Sequence, residues 1–163
     1  MEETDIYRHF QVAFYFQVDF IKMKVNTKKE KEEDSRESLE FKEVSGLSRD
    51  METETIYEGG SNNMEYKLPK RIKYHNLILK KALVSGNSGL VDFLKTSIEG
   101  DFTQPFPKRD IQIRLLDGKG TIIHLWRCED AYPVKWEISS LDAEKSELVI
   151  EHLEFAYTTL KRN

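Results

Sequence analysis

The sequence predicts a mainly β protein, an antiparallel β-sandwich or barrel of about seven or eight strands with one flanking α-helix. Three observations carry that expectation. Apolar and polar residues alternate with a period of two along most of the chain. Only Leu90–Ile98 repeats its apolar residues at helical spacing. Clusters of turn-forming residues, such as Ser85-Gly86-Asn87-Ser88-Gly89 and Asp117-Gly118-Lys119-Gly120, separate the alternating runs.

The first run is Gln11–Phe20. Val12, Phe14, Phe16, Val18 and Phe20 point one way, and Ala13, Tyr15, Gln17 and Asp19 the other. The apolar set then becomes Ile21, Met23 and Val25, which a bulge near Phe20-Ile21 would produce. Thr27–Glu43 holds 12 charged residues in 17 and reads as a solvated excursion. Its core, about 26–38, is expected to be a charged insertion, dispensable for folding because it has too little apolar surface to join a core.

Leu39, Phe41 and Val44 resume a strand, and Leu47–Tyr57 continues it with Met51, Thr53, Thr55 and Tyr57 on one face. Glu58–Asn63 is a loop by composition, and Met64–Leu68 a short strand ended by Pro69, which cannot donate to a ladder and so marks a strand end or bulge. Ile72–Val84 pairs again, with Leu77 and Leu79 toward the core. Ser88 is the expected N-cap of the helix, and Gly100 its end. Leu90, Leu94 and Ile98, with Val91 beside them, form its expected buried row, leaving Asp92, Lys95 and Glu99 outside. Pro105 and Pro107 keep Phe102–Lys108 irregular. The last third is β: Ile111–Leu115, a hairpin turn at Asp117–Gly120, Thr121–Cys128, Tyr132–Ile138, and a long strand Glu147–Leu160 in two phases.

A chain of 163 residues suits one domain, expected to span 1–163. The formal net charge of −4 argues against a generally basic, nucleic-acid-coating protein. No stretch approaches the roughly 18 apolar residues of a spanning helix. The acidic start, Met1-Glu2-Glu3-Thr4-Asp5, is unlike a signal peptide, so synthesis in a cytoplasm is expected. One cysteine, Cys128, excludes an intramolecular disulfide and a Cys-based zinc cluster, and is expected as a small buried hydrophobe.

Catalytic constellations do not emerge. His9, His75, His124 and His152 lack paired-ligand spacing, and there is no nucleophile elbow or phosphate loop. The expectation is no enzyme, cofactor or metal. One charge feature stands out. Tyr66–Val91 contains no acid but carries Lys67, Lys70, Arg71, Lys73, Lys80 and Lys81, after a segment bearing Glu52, Glu54 and Glu58. An unevenly charged solvent face is one reading. The other is complementarity between copies of the chain, acidic strand end to basic strand end.

An ordered set of strings carries a family resemblance. Phe41-Lys42-Glu43-Val44-Ser45-Gly46-Leu47 is followed by Tyr57-Glu58-Gly59-Gly60, Lys67-Leu68-Pro69-Lys70-Arg71, Lys73-Tyr74 and Asn76-Leu77-Ile78-Leu79-Lys80-Lys81. Ala131-Tyr132-Pro133-Val134-Lys135-Trp136 and Glu151-His152-Leu153-Glu154-Phe155-Ala156-Tyr157 close it. The set resembles the tail tube protein family of contractile phages, which includes inner tube proteins of phage-tail-like contractile injection systems. The resemblance covers roughly Phe10–Leu160 and departs at Thr27–Ser38, longer and more charged than the short hairpin usual there.

The resemblance implies a tail tube fold assembled as hexameric rings. The rings stack into a hollow conduit, propelled by sheath contraction, with sheets of neighbouring subunits joined in the lumen wall. The implied partners are other copies of the chain, sheath, spike and baseplate proteins, and effector cargo in the lumen. DNA is implied only for a true phage tail, and no membrane insertion of its own. Assembly places the chain in a phage tail or particle that is cytoplasmic, membrane-anchored or released. Residue by residue, Glu58, Gly59, Gly60, Ser61, Asn62 and Asn63 resemble the family's extended loop that contacts a neighbour. Lys67, Lys70 and Arg71 follow it as candidates to meet acidic groups of an adjacent copy. An ordinary hairpin loop and solvated cations are the plain alternatives. Tyr132–Trp136 is expected to fix a turn and supply a core aromatic. Three roles remain open from sequence: a main-tube subunit, a specialised first ring joining spike and baseplate to the tube, and a stand-alone β-rich binding module.

Overall fold

The computed structural model describes residues 15–25, 31–57, 65–83, 88–100, 106–141 and 148–163. Expectations for 11–14 and for the loop 58–63 lie outside them. The strands are β1 (Tyr15–Val25), β2 (Lys31–Leu39), β3 (Glu43–Ser45), β4 (Arg49–Tyr57), β5 (Glu65–Tyr74), β6 (Leu77–Ala82), β7 (Arg109–Leu116), β8 (Ile122–Ile138), β9 (Ile150–Ala156) and β10 (Thr159–Arg162). Helix α1 spans Gly89–Ile98. Eight strands form one antiparallel sheet along the path β2-β1-β7-β8-β9-β6-β3, with β10 beside β8. Among the described residues, β4 and β5 pair only with each other, as a two-stranded ribbon.

The sheet doubles over because β8 serves both halves. Its first part, to Ala131, pairs with β7; from Tyr132 it pairs with β9. Between these lies Asp130, with φ of 53°, whose backbone N–H donates to the Asp110 carboxylate at 3.0 Å. Sequence reading breaks β8 into two strands here and expects a turn at Tyr132-Pro133. The structure keeps it continuous because a local kink replaces the turn. Trp136 does pack against the core.

Folding over brings Phe20 of β1 to 5.6 Å from Phe155 of β9, and to 6.1 Å from Phe41. Val18, Leu77, Leu79, Ile111, Ile113 and Leu153 fill the space around them, all buried. Each such side chain contributes about 1.5–3 kcal/mol by leaving water. Leu77 and Leu79 face the core as expected.

Ser88 caps α1, its side chain accepting from the Val91 N–H at 3.4 Å. The buried row is Leu90, Phe93, Leu94 and Ser97; Ile98 is 42% exposed. The expected row of Leu90, Leu94 and Ile98 is therefore rotated by part of a turn. Phe93 explains this: its large ring stacks on Phe155 at 6.5 Å, beneath the Arg109 guanidinium at 4.6 Å. Asp92, Lys95 and Glu99 look outward as expected.

The charged segment departs most from expectation. Residues 31–39 are strand β2, hydrogen-bonded to β1 from Val25↔Lys31 to Val18↔Leu39. The strand packs Leu39 against the core at its end, and its main chain satisfies the edge of β1. The bulge expected at Phe20-Ile21 is absent; β1 shifts register against β2 at Lys22/Met23. Phe20 and Ile21 are both buried, on opposite faces, because both faces of the sheet are covered there.

Pro69 marks a bulge rather than a strand end. It lies within β5, next to the register shift where the ribbon is exposed and a missing donor costs little. The long strand expected over Glu147–Leu160 is β9 and β10, interrupted at Tyr157-Thr158 opposite the β8 kink. Leu148 is exposed and not part of a buried phase.

Leu94→Ala should cost about 2–5 kcal/mol in denaturant unfolding of unassembled protein. Lys95→Ala should cost less than about 0.5 kcal/mol. Ile98→Ala should fall near Lys95→Ala and well below Leu94→Ala; a reversed order would place the wrong face inward. Replacing 26–38 by a short Gly/Asn turn should strip β1 of its neighbour and yield insoluble or markedly destabilised protein, read by soluble yield and thermal midpoint.

Candidate assembly surfaces

The ribbon continues the β3–β6 pair. Ser45 pairs with Ile78 in the sheet, and Arg49 with Tyr74 at the ribbon root. Gly46, with φ of 82°, makes the corner, where an added Cβ would collide with the Asn76 carbonyl. Beyond it, every residue of β5 up to Lys73 is exposed.

Alternation places Met51, Thr53, Thr55 and Tyr57 on one ribbon face, as expected, and Glu52, Glu54 and Ile56 on the other. A bulge sets Lys70 and Arg71 opposite Glu52, between the pairs Met51↔Ile72 and Thr53↔Pro69. Arg71 bonds Glu52 at 2.8 Å and Lys70 lies 3.2 Å from Glu54. The Arg71 hydrogen bond holds Glu52 below the usual carboxylate range. The basic and acidic segments thus meet within one chain, which the sequence could not distinguish from a meeting between copies. Lys67 is exposed opposite Thr55. The structure brings Lys67, Lys70 and Arg71 onto the ribbon leading to the loop 58–63, whose own residues lie outside those described.

Sequence reading missed the apolar outer half of this ribbon. Ile56 and Tyr66 stand opposite each other, with Leu68 next to them, and are 46%, 50% and 47% exposed. Tyr57, on the other face, is 72% exposed. The signal was available: strand-like alternation puts apolar residues on both faces here, which a sheet with one solvated face does not need.

The face of the main sheet opposite the core was expected to be polar. It is organised around two buried carboxylates. Asp19 receives Ser38 Oγ at 2.6 Å and Arg114 at 2.8 Å. Asp110 receives Arg127 through Nε at 3.0 Å and Nη2 at 2.7 Å, besides the Asp130 N–H. At the far end of the sheet, Glu151 lies 3.1 Å from Lys81 and accepts from Trp136 Nε1 at 3.4 Å. Cys128 is buried, and burial pushes its thiol up to about 12, away from any reactive thiolate at neutral pH.

These features amount, among the described residues, to a sheet with an ion-paired outer face, bounded by β2 and β3, and a separate two-stranded ribbon. The model of the family described as T4-like virus tail tube protein gp19 matches residues 12–161. The chain belongs to this tail tube family. It is a structural, β-rich tube protein. No curated protein sequence matches it. A chain in the six-fold-symmetrised cryo-EM structure of the anti-feeding prophage baseplate is 25% identical, over 94% of this tube protein and 95% of that chain, with a TM-score of 0.79. One in the extended PVC sheath–tube complex of an extracellular contractile injection system is 21% identical, over 100% and 98%, with a TM-score of 0.76. Hcp1 from Flavobacterium johnsoniae shares the fold at 12% identity, over 92% and 95%, with a TM-score of 0.55.

Arg127→Ala leaves the Asp110 carboxylate buried without its cation and should cost the tube protein about 3–5 kcal/mol, toward the lower end because Arg127 is partly exposed, in urea unfolding. Reversing Lys70 and Arg71 to Glu should leave the unfolding midpoint nearly unchanged, because exposed pairs contribute about 0–1 kcal/mol. It should weaken assembly, more at low salt than at high salt, in sedimentation of assembled material.

Proposed function

We propose that this tube protein is a subunit of the inner tube of a phage-tail-like contractile injection system, in hexameric rings that stack into a hollow conduit. The observation that carries the reading is the free-standing β4–β5 ribbon. A lone two-stranded ribbon is marginal in water, and this one holds large apolar side chains in solvent. Such a surface is made to be covered by a partner. β2 and β3, the outermost strands of the sheet among the described residues, support the same reading, since a ring closes such edges by pairing them across subunits. The polar face opposite the core suits an aqueous lumen wall. The role is mechanical, without bond-making: the candidate nucleophile, Cys128, is buried and protonated.

Sheath, spike and baseplate proteins are the proposed partners, with cargo inside and a released or anchored particle as the site of work. A second role, the first ring joining baseplate to tube, is favoured by the likeness to the chain in the anti-feeding prophage baseplate structure. Counting copies per particle by cryo-electron microscopy separates the two: one ring for the adaptor, many for the main tube. Purified protein at high concentration, alone or with a baseplate nucleus, should form rings or tubes in electron micrographs. A strict monomer under both conditions would overturn the tube reading in favour of a stand-alone binding module.

A further inference from the structure

Strand β2 has little in its own sequence to hold it in place. Lys31–Ser38 carries no apolar residue, and only Leu39, at its end, packs against the core. A strand that is polar on both faces slips easily along its neighbour, and a slip of one residue exchanges its faces. Yet β2 keeps one frame against β1 from Leu39↔Val18 through Arg36↔Ile21.

Side chains on both faces hold that frame. On the outer face, Ser38 Oγ donates to Asp19 at 2.6 Å, and Arg36 lies 3.9 Å from the same carboxylate. On the core face, Glu37 stands opposite Phe20 and reaches toward α1. Arg109 Nη1 of β7 donates to Glu37 Oε2 at 3.4 Å, and Nη2 donates to the Gly89 carbonyl at 3.1 Å. The Arg109 guanidinium lies 4.6 Å from the centre of the Phe93 ring. The side chains of Arg109 and Glu37 are 17% and 27% exposed, so each depends on the other for compensation of its charge. One guanidinium thus joins the edge strand, β7 and the first turn of the helix.

Gly89 completes the arrangement. A Cβ there would stand 2.6 Å from Glu37 Oε2 and 3.3 Å from its Cδ. The helix starts on this glycine, although alanine is the better helix former. The missing side chain leaves room for a carboxylate that comes from β2.

We propose that Glu37, Arg109 and Gly89 form a latch that holds β2 in its frame on β1 and ties it to the first turn of α1. A one-residue slip that sets Glu37 opposite Asp19 brings two carboxylates together and takes Ser38 off Asp19. A two-residue slip sets Glu37 opposite the fully buried Val18, or carries it the other way and leaves Arg109 without its acid. Glu37 and Arg109 are positioning residues. Through them the edge strand moves with the helix and not on its own. The latch is a property of the single chain and does not rest on the tube reading.

Amide hydrogen exchange in full-length, unassembled protein tests it. Glu37→Ala should lower protection of the β2 amides by at least about tenfold, as loss of a hydrogen bond between charged groups does, while β9 keeps its protection. Gly89→Ala should loosen β2 in the same way, because the new Cβ displaces the Glu37 carboxylate. It should leave α1 as protected as before, or more so, because alanine favours the helix. Glu37→Ala/Gly89→Ala should loosen β2 no further than Glu37→Ala alone. Additive losses in the double variant would mean that the new Cβ acts elsewhere than on Glu37, and would overturn the latch. Wild-type protection of β2 in Glu37→Ala, or an equal loss in β2, α1 and β9, would overturn it too.

Discussion

Everything in this molecule hangs on β8 being shared between two half-sheets. A 17-residue strand pairing with β7 on its first part and β9 on its second commits the sheet to fold over itself. The kink is the costly point, since Asp130 sits at positive φ. It is held by Asp110, whose carboxylate takes the Asp130 N–H while Arg127 neutralises the charge. Breaking that link would release the geometry that sets Phe20 against Phe155.

With the sheet folded, one side of each strand faces the core, and the other carries Asp19, Ile21 and Asp110, all buried. Burying Asp19 and Asp110 on that outer face is expensive unless each finds a cation. The arginines that pay this cost come from β7 and β8, so the polar face is tied across strands. A surface whose charges are already paired presents little net field, consistent with a wall along which other molecules pass rather than bind.

The ribbon obeys a different logic. Its root is tied to the core, where Tyr74 packs and meets Tyr157 at 5.7 Å beside the Gly46 corner. Its backbone ladder holds the two strands in register, and Ile56 and Leu68 on its outer half are about half exposed. The core thus lies between the half-sheets, and the outer part of the ribbon stands outside it.

Alternation alone was enough to identify a mainly antiparallel β chain, the positions of Leu77 and Leu79, the Ser88 cap and the buried character of Cys128, because each depends on local pattern or composition. The ordered strings pointed to the family for the same reason: they are strings. Tertiary structure decided what depended on a distant partner. Residues 31–38 read as a solvated segment because they offer no apolar face, and became a strand because β1 had an edge to satisfy. The buried face of α1 turned toward Phe93 because Phe155 was there to receive it. Lys70 and Arg71 could be matched in sequence only to some acidic group; the bulge in β5 chose Glu54 and Glu52. Period and composition are properties of a segment, whereas register, burial of a charge and the partner of an ion pair are properties of two segments at once, and only the folded chain brings those together.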